Sequence, residues 1–572
     1  LPMLSNLSPK GQFLFQNVYF FCKNTTMKVC FMTHFQDKIM NSKIKFLGLL
    51  FVAVFLTFSC YAATIYVSPE GDDTTAIIDD PWHPFQTIQA ALNASNSKDQ
   101  IILQKGTFSI TPKVVPYYDP VPTVMAPIQM VKKSDIFIIG QGDETIVEGK
   151  GAGDFWVLQN CTNITLSGIK FVGNHPSVPD GELNGNKVPL LFSMVLMREY
   201  NNGITITNCS FHEFGNHAVS HLWSPKTSQN VTIINNSFYS GGATNVTNLN
   251  IDGSAVSGIG SYWNVNSNYI ANCQRGLEIE CFSPLVKHDI LLQNNYFTNM
   301  LDYGIMLFAS CQQPTSPINF TNIAINNNKL RKVNYGILVT GGKDIEICGN
   351  TVSGSSQVGI SAMSSFNTLD EVVIKNNMVD NCIERGIQFV KGIYRLGGAT
   401  ISDNTVYVTG NSAILAGGTN TVLESNLCYD CGWMGNFGGI EIFAGAQNVQ
   451  VLNNKLFNTR ESVQYLKYGI IIQANASDTY LSKNYINLPA YSAIKDSGLN
   501  TNPLHLQYRE YDGKLYLETD GISSSMQTIY SSNNGKDWYE LTTQKADSYG
   551  KISLNYYPTE SEQVFFKAVT NN

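Results

Sequence analysis

The stretch Val231-Thr232-Ile233-Ile234-Asn235-Asn236-Ser237-Phe238 decides the fold, because near-copies of it recur along the chain. They stand at Ile290–Phe297 (Ile-Leu-Leu-Gln-Asn-Asn-Tyr-Phe), Ile323–Leu330 and Val449–Leu456. Each is a short alternating strand, an Asn-containing corner and one more apolar residue. The same Asn recurs at Asn236, Asn268, Asn295, Asn328, Asn350, Asn377, Asn404, Asn426, Asn454 and Asn484, spaced by about 22 to 33 residues, within the range of solenoid repeats. Asn tolerates left-handed backbone angles, and its amide is able to bond the next Asn in a stack. These residues therefore read as structural ladders rather than ligands.

Between the ladder positions comes a second strand of the form Gly-apolar-x-apolar: Gly276-Leu277-Glu278-Ile279, Gly304-Ile305-Met306-Leu307, Gly336-Ile337-Leu338-Val339, Gly386-Ile387-Gln388-Phe389, Gly439-Ile440-Glu441-Ile442 and Gly469-Ile470-Ile471-Ile472. Alternation buries one face and leaves the other wet. Rungs of variable length carrying an Asn ladder predict an all-β chain, a single-stranded right-handed parallel β-helix over residues 64–500. The ladder stops near Asn502. Residues 501–572 then read as short alternating strands, expected to form a small antiparallel β-sandwich domain.

Composition agrees. Only 14% of residues are charged, against roughly 25% in average soluble domains, and Asn and Gly take their place. Asn41-Ser42-Lys43-Ile44-Lys45 and the apolar run Phe46–Phe58 read as a secretory signal over 40–63, with residues 1–39 as an over-extended start. Removing that basic leader makes the remaining chain more acidic than its formal net charge of −7, which argues against a nucleic-acid partner. Nine of the 12 cysteines follow the leader; an odd number cannot pair completely, so buried thiols are expected.

The opening strengthens this reading: Ile65-Tyr66-Val67-Ser68-Pro69-Glu70-Gly71-Asp72-Asp73, then Pro84-Phe85-Gln86-Thr87-Ile88-Gln89-Ala90-Ala91-Leu92, then Asp99-Gln100-Ile101-Ile102-Leu103-Gln104-Lys105-Gly106. It resembles the N-terminal capping segment of secreted members of the pectate-lyase-like right-handed parallel β-helix superfamily, with an amphipathic helix around Thr87–Leu92 covering the first rung. That resemblance implies a carbohydrate ligand, since many members act on carbohydrates. Fold alone does not supply the reaction.

Stacking the Gly-apolar strands in register gives two expected outward columns. The first starts Leu196, Val219, Gly260, Glu278, Met306; the second starts Arg198, His221, Tyr262, Glu280, Phe308. With rungs about 4.8 Å apart, Arg198 to Phe308 spans roughly 19 Å, the size of a cleft. Arg275 and Lys287 flank this stripe, Trp263 offers a stacking face, and insertions at 172–190 and 240–256 would wall it. Glu278 and Glu280 lie two residues apart on one strand face, about 6.7 Å, which suits an acid/base pair of inverting glycoside hydrolysis. In that reading Glu278, Glu280, His221 and Arg198 are catalytic, while Tyr262, Arg275, Lys287, Phe308 and Trp263 hold substrate. Glu441, alone at an equivalent position, reads as plain surface.

The run Gly276-Leu277-Glu278-Ile279-Glu280 is also similar to the Glu-x-Glu strand of the chondroitinase B and alginate lyase family. There two glutamates bind calcium, a lysine base follows, and an arginine sits on the next rung. The resemblance implies Ca²⁺ at Glu278 and Glu280 and β-elimination of a uronate polymer with Lys287 as base, although Phe308 stands at the next-rung position. A third expectation is a non-catalytic glycan-binding or adhesion module. All three expect a polysaccharide partner, no obligate protein partner and a monomer.

Overall fold

The computed structural model describes residues 62–501 except 114–125, 150–152, 174–180, 184–185, 189–192, 222–227, 243–252, 283–285, 311–318, 460–464, 488–491 and 500, together with the strands named below outside that range. Residues 33–61, which hold most of the expected signal sequence, and much of both expected wall insertions lie outside the described residues. Near the start, Phe15–Cys22 pairs antiparallel with Thr25–Met32.

From Thr64 onward the chain winds as a parallel β-helix. Each turn contributes one strand to each of three parallel faces. In one turn, Ser254–Ser257 belongs to the first face, Trp263–Asn266 to the second and Tyr269–Ala271 to the third, and each pairs with its counterpart one turn later. Inward residues stack into one continuous apolar core running from Ile65 to Ile494. Within it, Phe171, Phe211 and Phe238 lie ring on ring at 4.8 and 4.9 Å. Such stacking follows from parallel in-register strands, which put like side chains one rung apart. The helix Ile88–Ala94 forms where expected, with Thr87 as its N-cap and Ile88, Ala91 and Leu92 buried.

The Asn ladder is continuous from Asn236 to Asn484. Each side-chain amide donates to the Oδ1 of the next Asn at 2.9–3.1 Å, and every member is buried. One detail differs from expectation. The left-handed residue is the one before each ladder Asn, as at Asn235, Asn294, Asn327, Asn376 and Asn453, all with φ of 55–57°. The ladder Asn itself is chosen for its amide, and its predecessor for its backbone.

The glycines of the second motif are explained by close approach. A Cβ on Gly276 would lie 2.2 Å from the Gly304 carbonyl oxygen, and one on Gly336 would lie 2.2 Å from the Gly359 carbonyl oxygen. Successive rungs therefore touch backbone to backbone at this corner, where only glycine fits.

Beyond the solenoid, His505–Tyr511, Lys514–Asp520 and Ser553–Tyr556 form one three-stranded antiparallel sheet. Met526–Ser532 sits between Tyr539–Lys545 and Phe565–Asn571 in another. Among the described residues eight cysteines are free thiols, all buried except the half-buried Cys348. Burial pushes the Cys209 and Cys382 thiols up to about 12 and Cys431 up to about 11, the behaviour of inert packing residues.

Candidate functional site on the first face

The strand Arg275–Phe282 places Leu277, Ile279 and Cys281 inward and Glu278 and Glu280 outward, as the alternation predicts. One rung on, Glu278 is in register with Met306 and Glu280 with Phe308. The column then continues through Leu338, Ser361, Gln388, Leu415, Glu441 and Ile471, all as expected.

Upstream of Glu278 the expected columns slip. Leu196 aligns with Ser220, Ser220 with Ser257, and Val256 with Leu277, so Ser257 is the neighbour of Glu278. His221 aligns with the core residue Met197 and not with Arg198, so it takes an inward position at the strand end. There its Nε2 accepts the Ser228 backbone N–H at 3.1 Å. Tyr262 is a corner residue in the left-handed region (φ 60°), half exposed and edge-on to His288 at 5.0 Å, off the outward face. Trp263 is a core residue whose Nε1 donates to the Ser228 carbonyl at 2.8 Å, and offers no stacking face. Arg198 is outward but buried beside Gln159, three rungs from Glu280.

The slip has a simple origin. Ala218 and Ala255 stand where later rungs carry glycine, whereas Gly258, at φ 70°, closes its strand and mimics the motif. A one-residue change of phase exchanges inward and outward side chains.

Around Glu278 the structure assembles a cluster that the sequence only half revealed. The Arg275 guanidinium lies 2.7 Å from Glu278 Oε1 and donates through Nε to Asp302 Oδ2 at 3.1 Å. The Ser254 and Ser257 hydroxyls donate to Glu278 Oε2 at 2.6 and 3.2 Å. Glu278 is 1% exposed, and its buried charge is balanced by Arg275 with both oxygens occupied by donors. Arg275, Ser254 and Ser257 take three of its roughly four acceptor directions and a guanidinium already neutralises it, so this carboxylate is a poor fit for Ca²⁺, a cation that draws on several open oxygens. Glu280 remains half-buried and is the accessible member of the pair.

Lys287 also departs from expectation. It opens a second-face strand in register with the core residue Phe320, is buried, and donates from Nζ to the Ile259 carbonyl at 2.6 Å. Burial lowers its pKa from 10.5 to about 8, against the opposing pull of Cys281, Glu280 and Glu278. It lies inside the helix and does not present a base to the surface.

Aromatic rings flank the cluster. Phe308 packs on the exposed Phe366 at 4.7 Å on the side of Glu280. On the other side the Arg275 guanidinium lies 5.7 Å from the centre of the Tyr303 ring, which stacks on Tyr335 at 5.5 Å. Burial pushes the Tyr303 phenol up, as does nearby Asp302. Asp302, Ser254, Ser257 and Tyr303 were missed from sequence. Arg275 and Tyr303 share the position one residue before the motif glycine, and a column drawn there would have found both, with Asp302 one residue further out.

The outward column of this face is not wet. From Glu278 to Ile471 its members are less than a tenth exposed, whereas Glu346, Val373 and Thr400 on the second face are exposed. The outward column of the first face is thus a shielded strip along the helix axis, with Glu280, Phe308, Phe443 and Gln473 half-buried beside it. A separate open groove of about 530 Å³ lies over the second face, lined by Ala324, Glu346, Val373 and Thr400 among others. It shares no residue with the Glu278 cluster. Its Glu371 is taken up by Lys343 at 2.9 Å.

Residues 316–486 match the family model described as a right-handed beta helix region. No curated protein matches the chain. Among solved structures it is similar to the tailspike protein of E. coli bacteriophage HK620 in complex with a pentasaccharide, at 16% identity over 97% of this chain and 96% of that one, with a TM-score of 0.51. A single-site mutant of that tailspike, again with pentasaccharide, aligns at 15% identity over the same shares with a TM-score of 0.52. Identity this low speaks to the fold, and with the strand register above it makes the chain a right-handed parallel β-helix protein.

Proposed function

We propose that this protein binds an extended polysaccharide along the shielded strip of the first face and cleaves it by glycoside hydrolysis at Glu278 and Glu280. The observation that carries the reading is the pair itself: two carboxylates outward on one strand, one buried and fixed by Arg275, Ser254 and Ser257, the other half-buried beside the Phe308–Phe366 aromatic flank. Hydrolysis of a glycosidic bond uses two carboxyl groups in unequal environments, and inequality is what this site provides. Glu280, the reachable member, is assigned proton transfer to or from the sugar. Glu278 is assigned the fixed charge beneath it, and Arg275 the positioning of Glu278 and Asp302. The pentasaccharide bound to a protein of the same fold supports a glycan ligand. The basic and apolar leader over 40–63 supports a secreted protein. β-Elimination is less well supported, because Lys287 is buried behind the sheet and Phe308 takes the next-rung place of an arginine.

The test is a panel of neutral bacterial O-polysaccharides, dextran, alginate and polygalacturonate, scored for new reducing ends and for the ultraviolet absorbance of an unsaturated uronate. Reducing ends without that absorbance, abolished in Glu280→Gln while binding persists, are expected. Turnover that survives in Glu280→Gln refutes the site, unsaturated product refutes hydrolysis, and binding without turnover leaves a glycan-binding module.

A further inference from the structure

Six rungs along the same strip from Glu278 stands Glu441, a distance of about 29 Å at about 4.8 Å per rung. Expected as plain surface, it is 7% exposed. It repeats the local design of Glu278: the Ser412 hydroxyl, from the preceding rung, donates to Oε2 at 2.6 Å just as Ser254 donates to Glu278. The difference lies in the charge. Where Glu278 has Arg275, Glu441 has the neutral Gln473, whose Nε2 donates to Oε1 at 2.6 Å. Among the described residues no cation pairs with Glu441. Gln473 is itself pinned, since its Oε1 accepts the Ala444 N–H at 3.0 Å. A carboxylate nine-tenths buried on this strip without a counter-charge is costly unless further donors reach it.

We propose that Glu441 and Gln473 form a distal subsite that takes the hydroxyl groups of a neutral sugar unit of the same polysaccharide held at Glu278. A carboxylate has about four acceptor directions, and Ser412 and Gln473 use one on each oxygen, so one on each remains for a hydroxyl donor. Phe443, two residues on and therefore on the same face, is half-buried and gives the apolar flank that a sugar ring needs beside its hydrogen bonds. Midway, Gln388 donates to Ser361 at 2.7 Å, the other polar station on a strip otherwise lined by Met306, Leu338 and Leu415. An acidic sugar is disfavoured at the distal end, because its carboxylate would face Glu441 with no cation among the described residues to stand between them. The ligand class is therefore a long polysaccharide with neutral units at that end, and affinity should depend on chain length.

This inference rests on glycan binding along the strip, and the experiment separates the two. Binding is measured by calorimetry on the full chain with size-fractionated oligosaccharides of the neutral panel polysaccharides, and with alginate fragments of matched length. Affinity for the neutral series is expected to rise once the fragment spans both stations. In Glu441→Gln and in Gln473→Ala the long fragments should lose roughly tenfold in affinity, the worth of one charge-assisted hydrogen bond, while short fragments bind as before. Gln473 is half-buried, so its variant keeps the test sound should Glu441→Gln disturb folding. Binding that does not grow with length, equal losses for short and long fragments, or an equal gain with alginate length each overturn the distal subsite while leaving the Glu278 site standing. No binding of any fragment removes both.

Discussion

Replacing Lys287 by Met should stabilise the protein at neutral pH and destabilise it at high pH. The folded-state pKa of Lys287 is lowered to about 8 from 10.5, chiefly by burial. Between those values the unfolded chain binds more protons than the folded one, so wild-type stability rises as pH rises through that window. Below it, both states are protonated and the folded state carries the full cost of a buried ammonium, about 3 kcal/mol at about 1.4 kcal/mol per pKa unit. Met removes that cost and also the Nζ bond to the Ile259 carbonyl, worth about 1 kcal/mol. The net expectation is a gain of about 2 kcal/mol at about pH 7, turning into a loss of about 1 kcal/mol above about pH 10. Urea unfolding of both proteins across that range measures the difference directly, and other titrations cancel in the comparison. Parallel stability curves for the two proteins, with no crossing, would refute the argument that Lys287 is charged and buried behind the sheet.

Two further substitutions test the scaffold. Asn377→Ala removes an acceptor for the Asn350 N–H and a donor to the Ile347 carbonyl, leaving buried peptide groups unpaired; a loss of about 3 kcal/mol in denaturant titration is expected. Gly336→Ala brings a Cβ within 2.2 Å of the Gly359 carbonyl oxygen, so the rungs must part, at a cost of at least about 2 kcal/mol, seen as a lowered Tm; an unchanged Tm would deny the backbone contact.

The solenoid was legible because its physics repeats. Parallel in-register strands place like side chains one rung apart, so the Asn ladder, the glycine corner and the aromatic stacks had to show themselves as period in the sequence. The same regularity located Glu278, Glu280, Phe308 and the column down to Ile471 correctly, since each of those strands keeps the motif's phase. The left-handed corner is different: many residue types tolerate it, as Ser267, Asp403 and Lys483 do beside the asparagines, so composition did not reveal which residue of the pair bends.

What the sequence alone determined was the β-helix, its ladder and the outward placing of the Glu278–Glu280 pair, because these follow from periodicities of two residues and of one rung. Only the tertiary structure decided which carboxylate is the more exposed, that Arg275 joins Glu278 to Asp302, that Lys287 and Trp263 face inward, and that Glu441 is buried with Ser412 and Gln473 as its donors. Turns of unequal length set those contacts. A single residue more or less in a turn moves a side chain from one face to the other, and no repeat in the sequence records which turns have that extra residue.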